Sequence, residues 1–377
     1  MDEEQRLSLC MIVKNEEKWL RVCLESVKDV VDEIIIVDTG STDGTRKIAA
    51  ELGAVIYDFN WNDSFAEARN YGLDRATGDW ILWLDADEEI ERSERDYLRD
   101  ILTAEDECYL GCIQLVNYYG SSPPDYNRSH LMNQYRLFRN DPKLRFRGAI
   151  HEQLDVEGLN LTQRSILALP VTLHHYGYME EAVEVKGKKE RNLYLLEKEL
   201  EVEGHDPWLD YHYASELYRC GKMVEAFERV NTSIGAFLKA EKKPPSLAYK
   251  LKYSILLALG SFEGGWPGIE FAIQMYPDYV DLHFYKGIIL MKLQKFVAAI
   301  EVFQHCLELE ENHGSYLTMV GTGSFLAWYY IGCCQELLGE FAKAEEAYRK
   351  TLELSEDHAE ARIALQNMGI AEFSAET

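Results

Sequence analysis

The sequence predicts an α/β domain, a mixed and mostly parallel sheet with helices on both faces, joined to an all-α solenoid. Two observations carry the first half and one the second. Short apolar runs alternate with helical patterns from Leu7 to Leu84, and strands apolar on both sides belong in a parallel sheet covered on both faces. Acidic and small polar residues gather just after those runs, at the strand ends where such sheets take ligands. Beyond Tyr178 strand signals stop, and small residues recur at a helical-repeat spacing.

Leu7 to Val13 (LSLCMIV) reads as a buried strand, and Trp19, Leu20, Cys23, Leu24 and Val27 follow at helical spacing. Glu33 to Val37 is the second strand. Ser41 to Thr45 supplies turn and capping residues, and Arg46 to Leu52 continues as helix. Ala54 to Phe59 is a third strand and Ser64 to Ala76 a third helix, which Thr77, Gly78 and Asp79 stop. Trp80 to Leu84 is the fourth strand and runs into Asp85-Ala86-Asp87-Glu88. The strand-like segments Cys108 to Tyr119, Gln134 to Phe138 and Ser165 to Leu173, parted by Pro, Gly and Asn, predict an antiparallel extension. A long charged helix is expected over Glu180 to Glu203.

Segments beginning at Pro207, Ser246, Val280 and Phe325 carry small residues at matching offsets, with Gly287 before Phe303 in the third and Gly332 before Tyr348 in the fourth. The second and third begin 34 residues apart, the tetratricopeptide period. Four helix pairs closed by a helix over Ala359 to Ala371 are therefore expected. The expected domains are 1–178 (α/β), 179–206 (a connecting helix) and 207–377 (repeats).

At 377 residues and a formal charge of −26, broad contact with nucleic acid or anionic lipid is disfavoured, so an anionic ligand needs a metal or a few placed basic groups. No apolar run reaches the ~20 residues of a membrane span. The first residues carry neither a basic nor an apolar leader pattern, so a cytoplasmic location is expected. Eight scattered cysteines without a C-x-x-C pair predict reduced, buried thiols.

Asp85 and Asp87 end a buried strand one residue apart. Carboxylates so placed need a cation, and a divalent metal held by oxygen ligands in turn bridges phosphate oxygens. Asp38, at the end of the second strand, suits a ring N–H such as uracil offers, while Asp43 reads as a turn and capping residue. Arg69 lies among Phe65, Ala66 and Ala68 on a packed helix, where a guanidinium needs an anionic partner. Glu152 in Arg147-Gly148-Ala149-Ile150-His151-Glu152 is the candidate general base, with Glu88, Glu89 and Asp155 as alternatives. In His174-His175-Tyr176-Gly177-Tyr178 a neutral imidazole could complete a metal's coordination, or stack on neighbouring rings. Of the basic residues Arg136, Arg139, Lys186, Lys188, Lys189 and Arg191, Arg139 and Lys186 are the ones expected to reach the ligand.

The series Leu9 to Glu16 (LCMIVKNE), Val37 to Thr45 (VDTGSTDGT), Ala68-Arg69-Asn70 and Leu84 to Glu88 (LDADE) resembles the family 2 inverting glycosyltransferases of the A-type, nucleotide-sugar-binding fold. Joined to repeats, the chain is similar to bacterial enzymes that glycosylate peptides. That resemblance implies nucleotide binding by Val13, Asn15, Glu16, Asp38, Arg69 and Asp85. It implies a metal on Asp87, with Asp85 beside it contacting ribose or metal-bound water, and His175 as the histidine before a Gly-Tyr pair. The expected activity is metal-dependent (Mn²⁺ or Mg²⁺) inverting transfer of a sugar from a nucleoside diphosphate, uridine being the favoured base, to a peptide or protein side chain. The solenoid would supply an acceptor surface or a homodimer contact. The alternatives are a lipid-linked or cell-envelope glycan acceptor, and a non-catalytic repeat scaffold.

Overall fold

The computed structural model describes residues 5–156, 159, 161–180, 188–202, 204–311 and 314–369. It divides into two compact units, Met1–Asp125 with Met132–Glu201, and Tyr126–Leu131 with Val202–Thr377. Among the described residues no helix is long and apolar enough to cross a membrane. All eight cysteines are free thiols.

In the first unit β1 (Leu7–Val13), β2 (Glu33–Asp38), β3 (Val55–Asp58) and β4 (Trp80–Trp83) form a parallel sheet in the order β3-β2-β1-β4. Alternation along β1 separates two cores. Leu7, Leu9, Met11 and Val13 pack with α1 (Leu20–Val27) and α2 (Thr45–Glu51), whereas Cys10 packs with Ala66 and Leu73 of α3 (Phe65–Leu73). Helices thus cover both faces, as the unbroken apolar runs required.

The sheet continues through β5 (Glu88–Ile90), β6 (Leu110–Gly120), β7 (Ser129–Arg139) and β10 (Ile166–Met179), in the order β4-β7-β6-β10-β5, while β8 (Phe146–Arg147) and β9 (Gln153–Leu154) form a separate ribbon. The β4–β7 and β5–β10 pairs are antiparallel, but β10 runs parallel to β6, so the extension is mixed rather than antiparallel throughout. The strand expected to end at Leu173 runs on to Met179, because β5 pairs with it from Leu173 to His175 and β6 as far as Met179. Its ladder to β6 is broken between His175 and Tyr178, a bulge that re-aims side chains locally. Of the long helix expected over 180–203, the described part is α4 (Lys188–Leu200), which groups with the first unit.

In the second unit, four helices begin at the four repeat starts: α5 (Pro207–Arg219), α7 (Ser246–Ala258), α10 (Val280–Lys292) and α12 (Phe325–Leu337). Their partners are α6 (Met223–Lys239), the broken pair α8 (Phe262–Gly265) and α9 (Ile269–Met275), then α11 (Phe296–Leu309) and α13 (Phe341–Leu354). α14 (Ala359–Asn367) closes the array. A Cβ on Gly287 would stand 2.5 Å from the Phe303 ring, and one on Gly332 2.6 Å from the Tyr348 ring. The small residue of the first helix therefore receives the aromatic of the second in both repeats. Strand pairing also occurs beyond Tyr178, where β11 (Thr318–Met319) is antiparallel to His130 and Leu131.

Candidate functional site

Parallel register brings Val13, Asp38 and Asp58 side by side at the carboxyl ends of β1, β2 and β3. The loops beyond them are laced together. Asn15, at φ 58, donates its N–H to Ser41 Oγ (3.0 Å) and accepts the Thr42 N–H at Oδ1 (2.7 Å). The Glu16 N–H bonds Thr45 Oγ1 (2.7 Å). Asp43 accepts both the N–H (3.0 Å) and the hydroxyl (2.5 Å) of Thr45, the turn-shaping role its position suggested, while the helix N-cap itself is Gly44. Asp38 is 3% exposed; its carboxylate accepts the Ser41 N–H and Arg46 Nη1 (2.8 Å), and the same Arg46 nitrogen also pairs with Asp58.

Arg69 joins two of the expected site residues. Its Nε donates to Glu152 Oε1 (2.5 Å) and its Nη2 to Asp85 Oδ1 (2.7 Å), with the guanidinium carbon 4.5 Å from the centre of the Trp83 ring. The next residue fixes the loop that delivers Glu152, because Asn70 exchanges two 2.9 Å hydrogen bonds with the backbone of Phe146. The Phe65 N–H then bonds Ala149 O (2.8 Å). Burial opposes the charge on Asp85, but the guanidiniums of Arg69 and Arg136 together outweigh it and hold the carboxyl at about 2.

A second guanidinium, less expected from sequence, lies on the same ring. Arg136 stands 3.8 Å from the Trp83 centre and donates to Glu88 Oε1 (2.5 Å), whose other oxygen accepts the Asp85 N–H (2.8 Å). Burial, reinforced by the Asp85 and Asp87 charges, raises the Glu88 carboxyl against the pull of Arg136. Arg69 Nη1 and Arg136 Nε and Nη1 are buried without a hydrogen-bond partner among the described residues. Only the register of β7 against β4 reveals Arg136 as the site residue of its segment. Leu137 pairs with Leu82 and so puts Arg136 beside Trp83.

The same register corrects the expectation for Arg139. It pairs with Trp80 at the opposite end of β4 from Asp85, and its guanidinium donates to the carbonyls of Cys108 (2.9 Å) and Glu105 (3.1 Å). It therefore braces a loop. Lys186 lies outside the described residues.

Asp87 follows β4 and faces β10. The Tyr176 N–H bonds Asp87 O (3.0 Å), and His175 Nε2 lies 3.8 Å from Asp87 Oδ1. His175 Nδ1 is 2.8 Å from Asn117 Oδ1, so Nδ1 donates there and Nε2 is the nitrogen turned toward Asp87. Gly177 borders this pair: a Cβ there would stand 2.5 Å from His175 Nε2 and 2.7 Å from Asp87 Oδ2. Asp85, by contrast, is turned to Arg69, and among the described residues no group of three or more His, Cys, Asp and Glu side chains is gathered as a ready metal cage. The residues fit a divalent ion as two protein ligands with the remaining positions left to a ligand's oxygens, which suits an ion shared with substrate.

The chain matches the family model described as "Glycosyl transferase family 2" over residues 8–168, and tetratricopeptide-repeat models over residues 280–313 and 325–358. It is 37% identical over 257 residues to a TPR repeat-containing protein of Synechococcus elongatus, covering 67% of this chain and 61% of that one. It is 28% identical over 285 residues to the SPbeta prophage-derived glycosyltransferase SunS of Bacillus subtilis, covering 74% and 66%. The chain thus spans less than two thirds of the length of both relatives. Among solved structures, MamA is similar at a TM-score of 0.39 and 17% identity, over 46% of this chain and 93% of that one. This chain therefore carries a glycosyl transferase family 2 domain, with tetratricopeptide repeats behind it.

Proposed function

We propose that the first unit transfers a sugar, with inversion, from a nucleoside diphosphate to a side chain of a peptide or protein, and that uridine is the base. The reading rests above all on the facing pair of Asp87 and His175, whose ligand atoms point at one another across a glycine. Asp87 and His175 would hold a divalent cation, which supplies charge stabilisation for the departing diphosphate. The unpaired N–H groups of Arg69 and Arg136 supply positive potential beside it.

Asp38 would accept a ring N–H of the base, with Arg46 shifting wholly to Asp58. Asp85, held by Arg69, would face ribose. Glu152 would take the acceptor's proton; Arg69 occupies its Oε1 and orients the carboxylate. A peptide acceptor is favoured by the resemblance of the motifs to those of peptide-glycosylating enzymes and by the repeats. The repeats would serve as a docking surface or as the contact with a second copy.

The test is mass spectrometry of donor hydrolysis and peptide transfer over a panel of UDP-, GDP- and ADP-sugars, with Mn²⁺, Mg²⁺ or chelator. Turnover should need a uridine donor and a cation and should vanish in Asp87→Asn. Undiminished turnover in chelator, or in that variant, would overturn the metal assignment.

A further inference from the structure

Strand β5, which begins one residue after Asp87, and β10, which carries His175, also wall a cavity of about 230 Å³, lined by Glu89, Glu91, Arg92, Tyr118, His174 and Tyr176. Its back is a file of stacked rings. Trp19 and Tyr176 lie 5.5 Å apart, Tyr176 and Tyr118 5.6 Å, Tyr118 and His174 5.8 Å, with interplanar angles of 13° to 24°.

The donors on this wall are committed to its own acceptors. Tyr176 OH donates to Glu89 Oε2 (3.1 Å). A carboxylate only accepts, so His174 Nε2, 3.3 Å from Glu91 Oε2, carries the proton there. In the neutral ring Nδ1 is then an acceptor, and Tyr118 OH donates to it at 3.0 Å. What these groups turn to the cavity is acceptor capacity: carboxylate oxygens and phenol lone pairs. Arg92 is the remaining donor, 62% exposed and 4.0 Å from Glu89. A polyol needs donors and acceptors together; a cation needs only acceptors and aromatic surface.

We propose that this cavity is an acceptor subsite that takes a cationic side chain, lysine or arginine, of the peptide being modified. The proposal rests on the glycosyltransferase reading above. At about 3.3 Å per residue of strand, Glu89 and Glu91 lie roughly 7–13 Å along the chain from Asp87. Register sets Glu89 beside His174 on the face of these strands opposite to Glu88 and His175, so a peptide that reaches both rounds the edge strand β5 and carries its cation several residues from the modified side chain.

The probes are fluorescent peptides with one Ser, Thr or Cys in an Ala-Gly background and Lys, Gln or Glu stepped along the positions on either side of it. Binding is read by anisotropy, and transfer and donor hydrolysis by mass spectrometry. Lysine peptides should bind roughly tenfold more tightly than glutamine peptides, as a cation meeting acceptors and rings would. Glu91→Gln should shrink that preference to within about twofold while leaving peptide-free donor hydrolysis unchanged. Tyr118→Phe, which frees the His174 ring, should weaken it to a lesser degree. Equal binding of lysine and glutamine peptides, a preference untouched by Glu91→Gln, or protection of the cavity by an oligosaccharide instead would overturn the proposal. A chain that hydrolyses no donor refutes the catalytic reading, whereas the anisotropy ranking still decides the subsite.

Discussion

His175 and Asp87 stand with Nε2 and Oδ1 3.8 Å apart, and the missing side chain of Gly177 is what lets them do so. An alanine at 177 would push both ligand atoms outward. Both are ends of side chains, so the fold can yield and the pair cannot. Gly177→Ala is expected to weaken Mn²⁺ binding roughly 10- to 100-fold, as disturbing a ligand's surroundings does, with a small change in melting temperature. Calorimetric Mn²⁺ titration of the variant checks this.

Arg69 neutralises Asp85 and Glu152 from a site that is 7% exposed. Replacing it by Met leaves two carboxylates without their counter-ion and is expected to cost about 3–5 kcal/mol. Arg69→Lys should recover part of the stability but little activity, because one ammonium cannot serve both carboxylates in a fork. Urea unfolding and transfer rates of the two variants separate these effects.

Asp85 titrates near 2 in the folded chain, below the ordinary 3.8. A depressed carboxyl contributes stability that is fully present above its unfolded value and is lost as pH falls through the folded one. The wild type should therefore lose this contribution between about pH 4 and pH 2. Asp85→Asn, which has no proton to take up there, should show a shallower decline. Denaturant unfolding at half-unit steps of pH compares the two slopes.

In the repeats, Lys250 Nζ pairs with Asp281 Oδ2 at 2.6 Å, and Asp281 is fully buried. Asp281 also accepts the Met319 N–H and the Thr322 hydroxyl, while Lys250 donates to Leu317 O, so the pair pins the segment 317–322 to α7 and α10. Lys250→Met strands a buried carboxylate and should destabilise the unit by about 3–5 kcal/mol. The amides of residues 317–322 should then exchange faster with deuterium than those of α5, which takes no part in the pair.

Gly287→Ala and Gly332→Ala each force a methyl into an aromatic ring of the facing helix. Each should cost about 1–3 kcal/mol. Phe303→Leu in the Gly287→Ala background should restore part of the loss, since the smaller side chain vacates the contact. Thermal melts of the single and double variants close that cycle.

The alternation of LSLCMIV, EIIIV and WILWL with amphipathic segments determined the parallel core, because strands covered on both sides must be apolar on both. The repeat starts were equally legible, since a glycine opposite an aromatic is a local pattern that packing between paired helices imposes again and again. The same local logic gave Asp43 its turn-shaping role and set Asp85 and Asp87 at a strand end. Tertiary structure alone decided what those side chains meet. Register across the β4–β7 pair separated Arg136, beside Trp83, from Arg139, which is three residues on and at the far end of the strand. A bulge in β10 and a bond from His175 to Asn117 aimed His175 at Asp87, and one guanidinium drew together residues 69, 85 and 152. Sequence patterns report the period of a segment's own backbone, whereas the pairing of distant strands carries no such period, and it is that pairing which assembles the site.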